Sequence, residues 1–423
     1  MLVGQQAESR SITLAQAVSL ATAQNPNVQI TLVDAALANE RQRRALSALL
    51  PQVTVGFGDA IQRINVETSL GTTAGLLPQH EGPFQSLSTG TRFSVPLIDA
   101  ANLERYRAQK AGTTAARADA KTAREEITAL TVAQYLLCIR LSATVSAVES
   151  QVALAQRLFD QADHLEQAGV GTGLDTLRAK QKFKVQQQAL IVTREEADTS
   201  LFSLVRILNL PPSTTLTLAD AGEFRNRPLE PIETTTIEAA YANRPEMIDL
   251  NERLKAASRQ LASARGERLP SLSIEGAWYE QGNRPDNAIP VYQYAASLSI
   301  PIFTGGRIRS DIATSSLQID RLKREQEGLK NKIALEVKTA TAKLEAALNE
   351  VDVADAGLQL AQEEVTQAQD RFQAGASDNI EVVTAQDTLA RAYDDQIAAF
   401  YRANQSRADL ARALGHIEDM YKQ

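Results

Sequence analysis

The sequence predicts a mainly α protein with β strands, internally duplicated and built on long antiparallel coiled-coil helices with four short strands. Three observations carry this prediction. Chain punctuation repeats at a near-constant offset, apolar residues step by three and four along two very long segments, and four shorter segments alternate with period two. The length of 423 residues also exceeds a usual single core, so two domains or a strongly elongated one are expected.

The repeat comes first. Asn25-Pro26-Asn27-Val28 has a counterpart in Arg244-Pro245-Glu246-Met247, and Leu50-Pro51-Gln52-Val53 in Leu269-Pro270-Ser271-Leu272, both 219 residues on. Phe93-Ser94-Val95-Pro96-Leu97 matches Leu298-Ser299-Ile300-Pro301-Ile302 at 205, and Gln167-Ala168-Gly169 matches Gln373-Ala374-Gly375 at 206. The first half therefore carries 14 extra residues between Pro51 and Pro96. That interval holds Gly71-Thr72-Thr73-Ala74-Gly75 and Pro78 through Pro83, the composition of an exposed hairpin tip. The expected organisation is a first repeat over 13–210, a Pro-rich connector over 211–236, a second repeat over 237–415 and a tail over 416–423.

Each repeat reads helix, strand, loop, strand, very long helix, short turn, helix. A helix from about Asn102 to Gln167 would be roughly 100 Å long at 1.5 Å per residue. In its counterpart, from about Arg307 to Gln373, a seam runs through Leu344, Ala347, Val351, Ala354, Leu358, Ala361, Val365, Ala368 and Phe372. Steps of three and four are the coiled-coil signature. Leu141, Val145, Val148, Val152, Ala155, Phe159 and Ala162 repeat it in register. A narrow seam with polar flanks suits side-by-side helices around water better than a thick core.

Among the strands, Val53, Val55 and Phe57 face one way, and so do Leu272, Ile274 and Trp278. Tyr292, Tyr294, Leu298, Ile300 and Ile302 form a third set, and Phe93, Val95 and Leu97 a shorter fourth. A soluble sheet with one wet face and a membrane barrel with a wet interior both produce such alternation. Segments near ten residues, holding the only Trp and several Tyr, favour the barrel. Four strands cannot close one, so a membrane-spanning sheet requires several chains to share it.

The formal net charge of −7, mixed in sign, argues against a nucleic-acid partner. No stretch is expected to reach the roughly 20 apolar residues of a membrane-crossing helix. Met1-Leu2-Val3-Gly4-Gln5-Gln6 lacks the pattern of an export signal, which fits a cytoplasmic protein or a mature exported one. Cys138, inside an apolar helical run, reads as a small buried residue. His80, His164 and His416 fall in a loop, a helix end and the tail, and form no metal or nucleophile constellation.

Taken together, the Thr13-Leu14-Ala15-Gln16-Ala17 opening, the Leu-Pro helix-to-strand junctions, the Ile300-Pro301-Ile302-Phe303-Thr304-Gly305-Gly306 junction and the paired Ala-Gly turns resemble the TolC-like outer-membrane efflux protein family. The resemblance implies an α-barrel of long coiled-coil helices, a four-strand contribution to a shared twelve-stranded transmembrane barrel, and a homotrimer. It further implies an outer-membrane location with a long periplasmic extension, in a mature form whose signal is gone. A periplasmic adaptor protein, an inner-membrane pump and outer-membrane lipid would be its partners. No cofactor, metal or catalysis is implied: the chain would be a passive conduit. A soluble periplasmic coiled-coil adaptor or scaffold is the alternative.

Two turns are the candidate sites. Gly169-Val170-Gly171-Thr172-Gly173 and Gly375-Ala376-Ser377 each reverse a coiled coil, and glycine after a helix needs no further explanation than the turn itself. The resemblance would make them the tube's periplasmic mouth and the adaptor's docking place. Asp175 and Glu381 stand six residues after Gly169 and Gly375, in the first turn of the returning helix. A carboxylate there favours the helix dipole, which alone accounts for both. In the family such acids lie at the tunnel entrance, where threefold symmetry would make each a ring, with Asp378 adding to it.

Overall fold

The computed structural model describes all residues except 1–8, 67–77, 79, 221–236, 375, 377, 378 and 423. The first half runs β1 (Ser9–Ile12), α1 (Leu14–Gln24), α2 (Pro26–Ser47), β2 (Gln52–Asn65), β3 (His80–Ile98), α3 (Ala100–Gln167), α4 (Gly173–Ile207) and β4 (Thr215–Leu218). The second runs α5 (Ile237–Asn243), α6 (Pro245–Gly266), β5 (Ser271–Gly282), β6 (Ile289–Ser299), α7 (Arg307–Gln373), α8 (Asn379–Leu414) and α9 (Ile417–Tyr421). Element lengths repeat: α2 and α6 have 22 residues each, α3 and α7 have 68 and 67, and α4 and α8 have 35 and 36. Pro26 and Pro245 open their helices where a missing N–H costs nothing. Thr13 caps α1 in a reciprocal capping box with Gln16.

Compactness cuts across the repeats. One unit comprises Met1–Val33, Arg117–Ile248 and Gln326–Gln423, and the other Asp34–Ala116 and Asp249–Glu325. Each unit thus draws on both halves of the sequence.

The first unit holds the main core, in which Val18, Val28, Tyr135, Leu204, Leu208 and Ile417 are buried. Strand β1 pairs in parallel with β4, from Ser9 opposite Thr215 to Ile12 opposite Leu218. The Tyr135 hydroxyl donates to the Asp220 carboxylate and lies 2.9 Å from the Ile12 carbonyl, while the Leu14 amide donates to Asp220 at 2.9 Å. Three corrections follow. The stretch read only as a connector contains β4. The residues read as a tail contain α9, anchored by fully buried Ile417. Helix α3 does include a window of 18 residues apolar enough, by length and composition, to cross a membrane. Its apolar residues Val132, Tyr135 and Leu136 belong to the protein core, so side-chain packing accounts for them.

The predicted seam is present. Along α7, Leu344, Ala347, Val351, Leu358, Ala361, Val365 and Ala368 are all buried, with Ala354 and Phe372 half-buried. Ala347 and Val351 pack with Ala399 and Ala403 of α8, Val365 and Ala368 with Val382 and Ala385, and Leu344 with Leu410, Ala413 and Leu414. On α3, Val148, Ala155 and Ala162 are buried and the other seam positions half-buried.

The second unit holds one antiparallel sheet in the order β2-β3-β5-β6, leaving β2 and β6 as open edges. β5 and β6, with 12 and 11 residues, stay near the expected ten, whereas β2 has 14 and β3 has 19, because pairing continues further along the first hairpin than along the second. His80 accordingly begins β3 instead of lying in a loop. The start of α3 packs against α6, where a Cβ on Gly266 would come within 3.0 Å of the Ala101 amide nitrogen and Ser263 donates to the Ala101 carbonyl at 2.8 Å. Glycine is required there by the close approach.

Candidate functional site

The sheet shows one apolar face, and that face is uncovered. Register places Val53 opposite Phe93, Phe93 opposite Gly276 and Gly276 opposite Tyr294, so these residues share a side with Val55, Phe57, Trp278 and Tyr292. A Cβ on Gly276 would fall 2.3 Å from the Phe93 ring, so that ring and Tyr294 cover the glycine. Val55 is 77% exposed, Phe57 76%, Tyr292 71% and Trp278 59%. A contiguous apolar sheet face in water would be an aggregation surface; in lipid it is the expected exterior of a barrel.

The α3–α4 turn is built as the sequence suggests, by a helix-ending glycine. Gly169 has φ +75°, its amide donates to the Glu166 carbonyl at 3.0 Å, and the Val170 amide reaches the Leu165 carbonyl at 3.1 Å. These two bonds make a Schellman motif. Gly171 is needed for space, since its Cβ would lie 2.9 Å from the Glu166 amide nitrogen. Thr172 then caps α4, accepting from the Asp175 amide at 3.3 Å and donating to the Asp175 carboxylate at 2.6 Å. Gly173 follows as the first residue of α4, and Val170 projects outward, 76% exposed.

In the second turn the Ala376 amide donates to the Arg371 carbonyl at 2.8 Å. Gly375, Ser377 and Asp378 lie outside the described residues. Both candidate acids have cationic neighbours that sequence reading passed over. Glu381 is 3.2 Å from the Arg371 guanidinium, and Asp175 is 3.9 Å from that of Arg178. Arg178 is legible one helical turn after Asp175; Arg371 sits across the turn on the preceding helix and carries no local signal.

Comparison with known proteins agrees with this construction. The outer membrane efflux protein family matches residues 17–210 and 236–416. The pyoverdine export outer membrane protein OpmQ of Pseudomonas putida is 26% identical over 412 residues, covering 90% of this chain and 82% of that protein. Its Pseudomonas aeruginosa namesake is 26% identical over 292 residues, where the match takes in 64% of this chain and spans 59% of the relative's length. The crystal structure of the outer membrane protein VceC from Vibrio cholerae has the same fold, with a TM-score of 0.80 at 16% identity over 95% of this chain and 96% of that one. A soluble adaptor or scaffold would leave the uncovered sheet face and this match over both halves unexplained. Two repeats of helix and strand with an uncovered apolar sheet face accord with a family of channels and not of enzymes, and the chain belongs to the outer membrane efflux protein family.

Proposed function

We propose that three copies of this chain form one passive conduit through the outer membrane, fed from the periplasm by an adaptor protein and an inner-membrane pump. The observation that carries this reading is the four-stranded sheet with one uncovered apolar face and two open edges. Open edges are not tolerated in lipid, so β6 of one copy must pair with β2 of another until the ring closes. Three such sheets give a barrel wide enough for a wet interior. The test is native mass in detergent together with planar-bilayer conductance. A trimer that conducts is expected; a stable, folded monomer would sink the shared barrel.

The turns form the docking place for the adaptor in this reading, because their glycines let another backbone approach closely. Gly169→Leu, which forces a branched side chain into positive φ, and Gly375→Leu are expected to lower efflux severalfold while leaving the trimer in the membrane. Normal efflux in both variants would put docking elsewhere.

Asp175 and Glu381 form the rings at the mouth, and each ring's field is reduced by its arginine neighbour. Glu381→Gln is expected to lower cation selectivity more than Asp175→Asn, since the family resemblance implies that the second hairpin lies nearer the axis. Reversal potentials under a salt gradient measure this. Equal values in both variants and the parent would reduce these acids to helix-capping residues.

A further inference from the structure

The face of the sheet opposite the apolar one becomes the channel lining if the barrel reading above holds, and the inference rests on it. Between Gln52 and Gln62 of β2, and the residues paired with them across β3, β5 and β6, that face is almost entirely uncharged, and small side chains lie along its middle strands. Thr54, Gly56, Ser88, Gly90 and Ala277 are typical. Gly56 stands directly opposite Gly90.

Only two charged residues fall on this face among the described residues of that stretch, and they are neighbours. Arg92 stands between Thr54 and Ala277, and Glu275 stands opposite Ser94. The two are therefore diagonal partners on adjacent strands, with backbones roughly 7–8 Å apart. Both are exposed. Asp59 and Glu280 are also charged, but register puts them on the other side, Asp59 between Phe57 and Ile61 and Glu280 level with Phe57.

We propose that Arg92 and Glu275 form a charge-balanced belt inside the barrel, which makes the outer-membrane section indifferent to the sign of a solute's charge. Threefold repetition would place three guanidinium and three carboxylate groups at adjacent levels around one ring. Their fields cancel along the axis, while neutral or zwitterionic solutes meet hydroxyls and bare backbone instead of a barrier. A lone ring of either sign would act as a filter, as charged rings do in pores. Selection by charge then belongs to some other part of the conduit.

The belt is tested by removing one charge at a time from the full-length channel. Arg92→Gln leaves the carboxylates uncompensated and is expected to shift the cation-to-anion permeability ratio upward. Glu275→Gln is expected to shift it downward by a similar amount. With three charges about 10 Å from the axis in water, each shift should be about twofold at 0.1 M salt and nearly vanish at 1 M. The double variant should return to the parent value. Unchanged ratios in both single variants, or shifts of the same sign, would overturn the belt while conductance itself stays intact. Loss of all conductance in the parent protein would instead remove the barrel reading on which the belt depends.

Discussion

Replacing Arg244 by alanine is expected to destabilise the protein by about 3 kcal/mol, through loss of a buried cation that two carboxylates share. The Arg244 side chain is 5% exposed. It donates to both oxygens of Glu246, at 2.9 and 3.3 Å, and to the Glu336 carboxylate on α7. Burial opposes its charge, but these bonds outweigh that and hold the guanidinium above its ordinary pKa. Burial likewise works against the Glu246 carboxylate, and the Arg244 bond overcomes it, so its pKa is lowered. Removing the arginine takes away the only cation bonded to Glu246 and leaves Glu336 with Lys332, at 3.8 Å, as its remaining ion-pair partner among the described residues. A Cβ on Gly415, which has φ +80°, would fall 3.0 Å from the Arg244 Cα, so the end of α8 is fitted to this site as well. Arg244→Lys should recover part of the loss, since one ammonium cannot match a two-sided fork. The measurement is the half-life of the detergent-solubilised trimer at raised temperature, because proteins of this size commonly unfold irreversibly. A half-life unchanged in Arg244→Ala would show that the network contributes nothing.

The second large effect is a pH dependence centred on Glu125. Burial, reinforced by the nearby charges of Glu418, Asp419 and Glu246, raises its pKa from 4.5 to about 7, although the Ile417 amide donates to it at 3.2 Å and pulls the other way. The folded state thus holds this proton more tightly than the unfolded chain does. Its contribution is fully present below pH 4.5 and is lost as pH rises through about 7. The neighbouring pair behaves oppositely. Burial opposes the Glu418 charge, but Arg124, at 2.5 Å, and Lys422 lower its pKa, so its contribution is present above the ordinary carboxylate range and fades in acid. Together they place the firmest docking of α9 in mildly acidic solution. Glu125→Gln keeps an acceptor for the Ile417 amide without the ionisation. It should abolish the stability loss between pH 5 and 8, which amounts to roughly 1–3 kcal/mol in the parent. The check is the thermal midpoint at fixed scan rate across that range. Parallel curves for parent and variant would exclude Glu125 as the cause.

Much of this protein was legible in its sequence because the signals concerned are local. The Leu344-to-Phe372 seam needs only helical periodicity to be seen, and nearly all of it is buried. The apolar strand faces need only period two, and the duplication shows in Pro26 and Pro245, which open helices of equal length. Asp175 as a capping acid follows from its three-residue spacing to Thr172. What the tertiary structure decided are pairings across long stretches of chain. Ser9 meets Thr215 in a parallel strand pair, Tyr135 meets Asp220, and Ile417 reaches the core beside Glu125. Arg371 reaches Glu381 only because the turn folds one helix back on the other. Arg92 and Glu275 become neighbours only through strand register. Periodicity reports which face of an element is apolar, since that depends on side-chain spacing along one backbone; which charge meets which depends on the packing of elements far apart in the chain, and no local spacing encodes it.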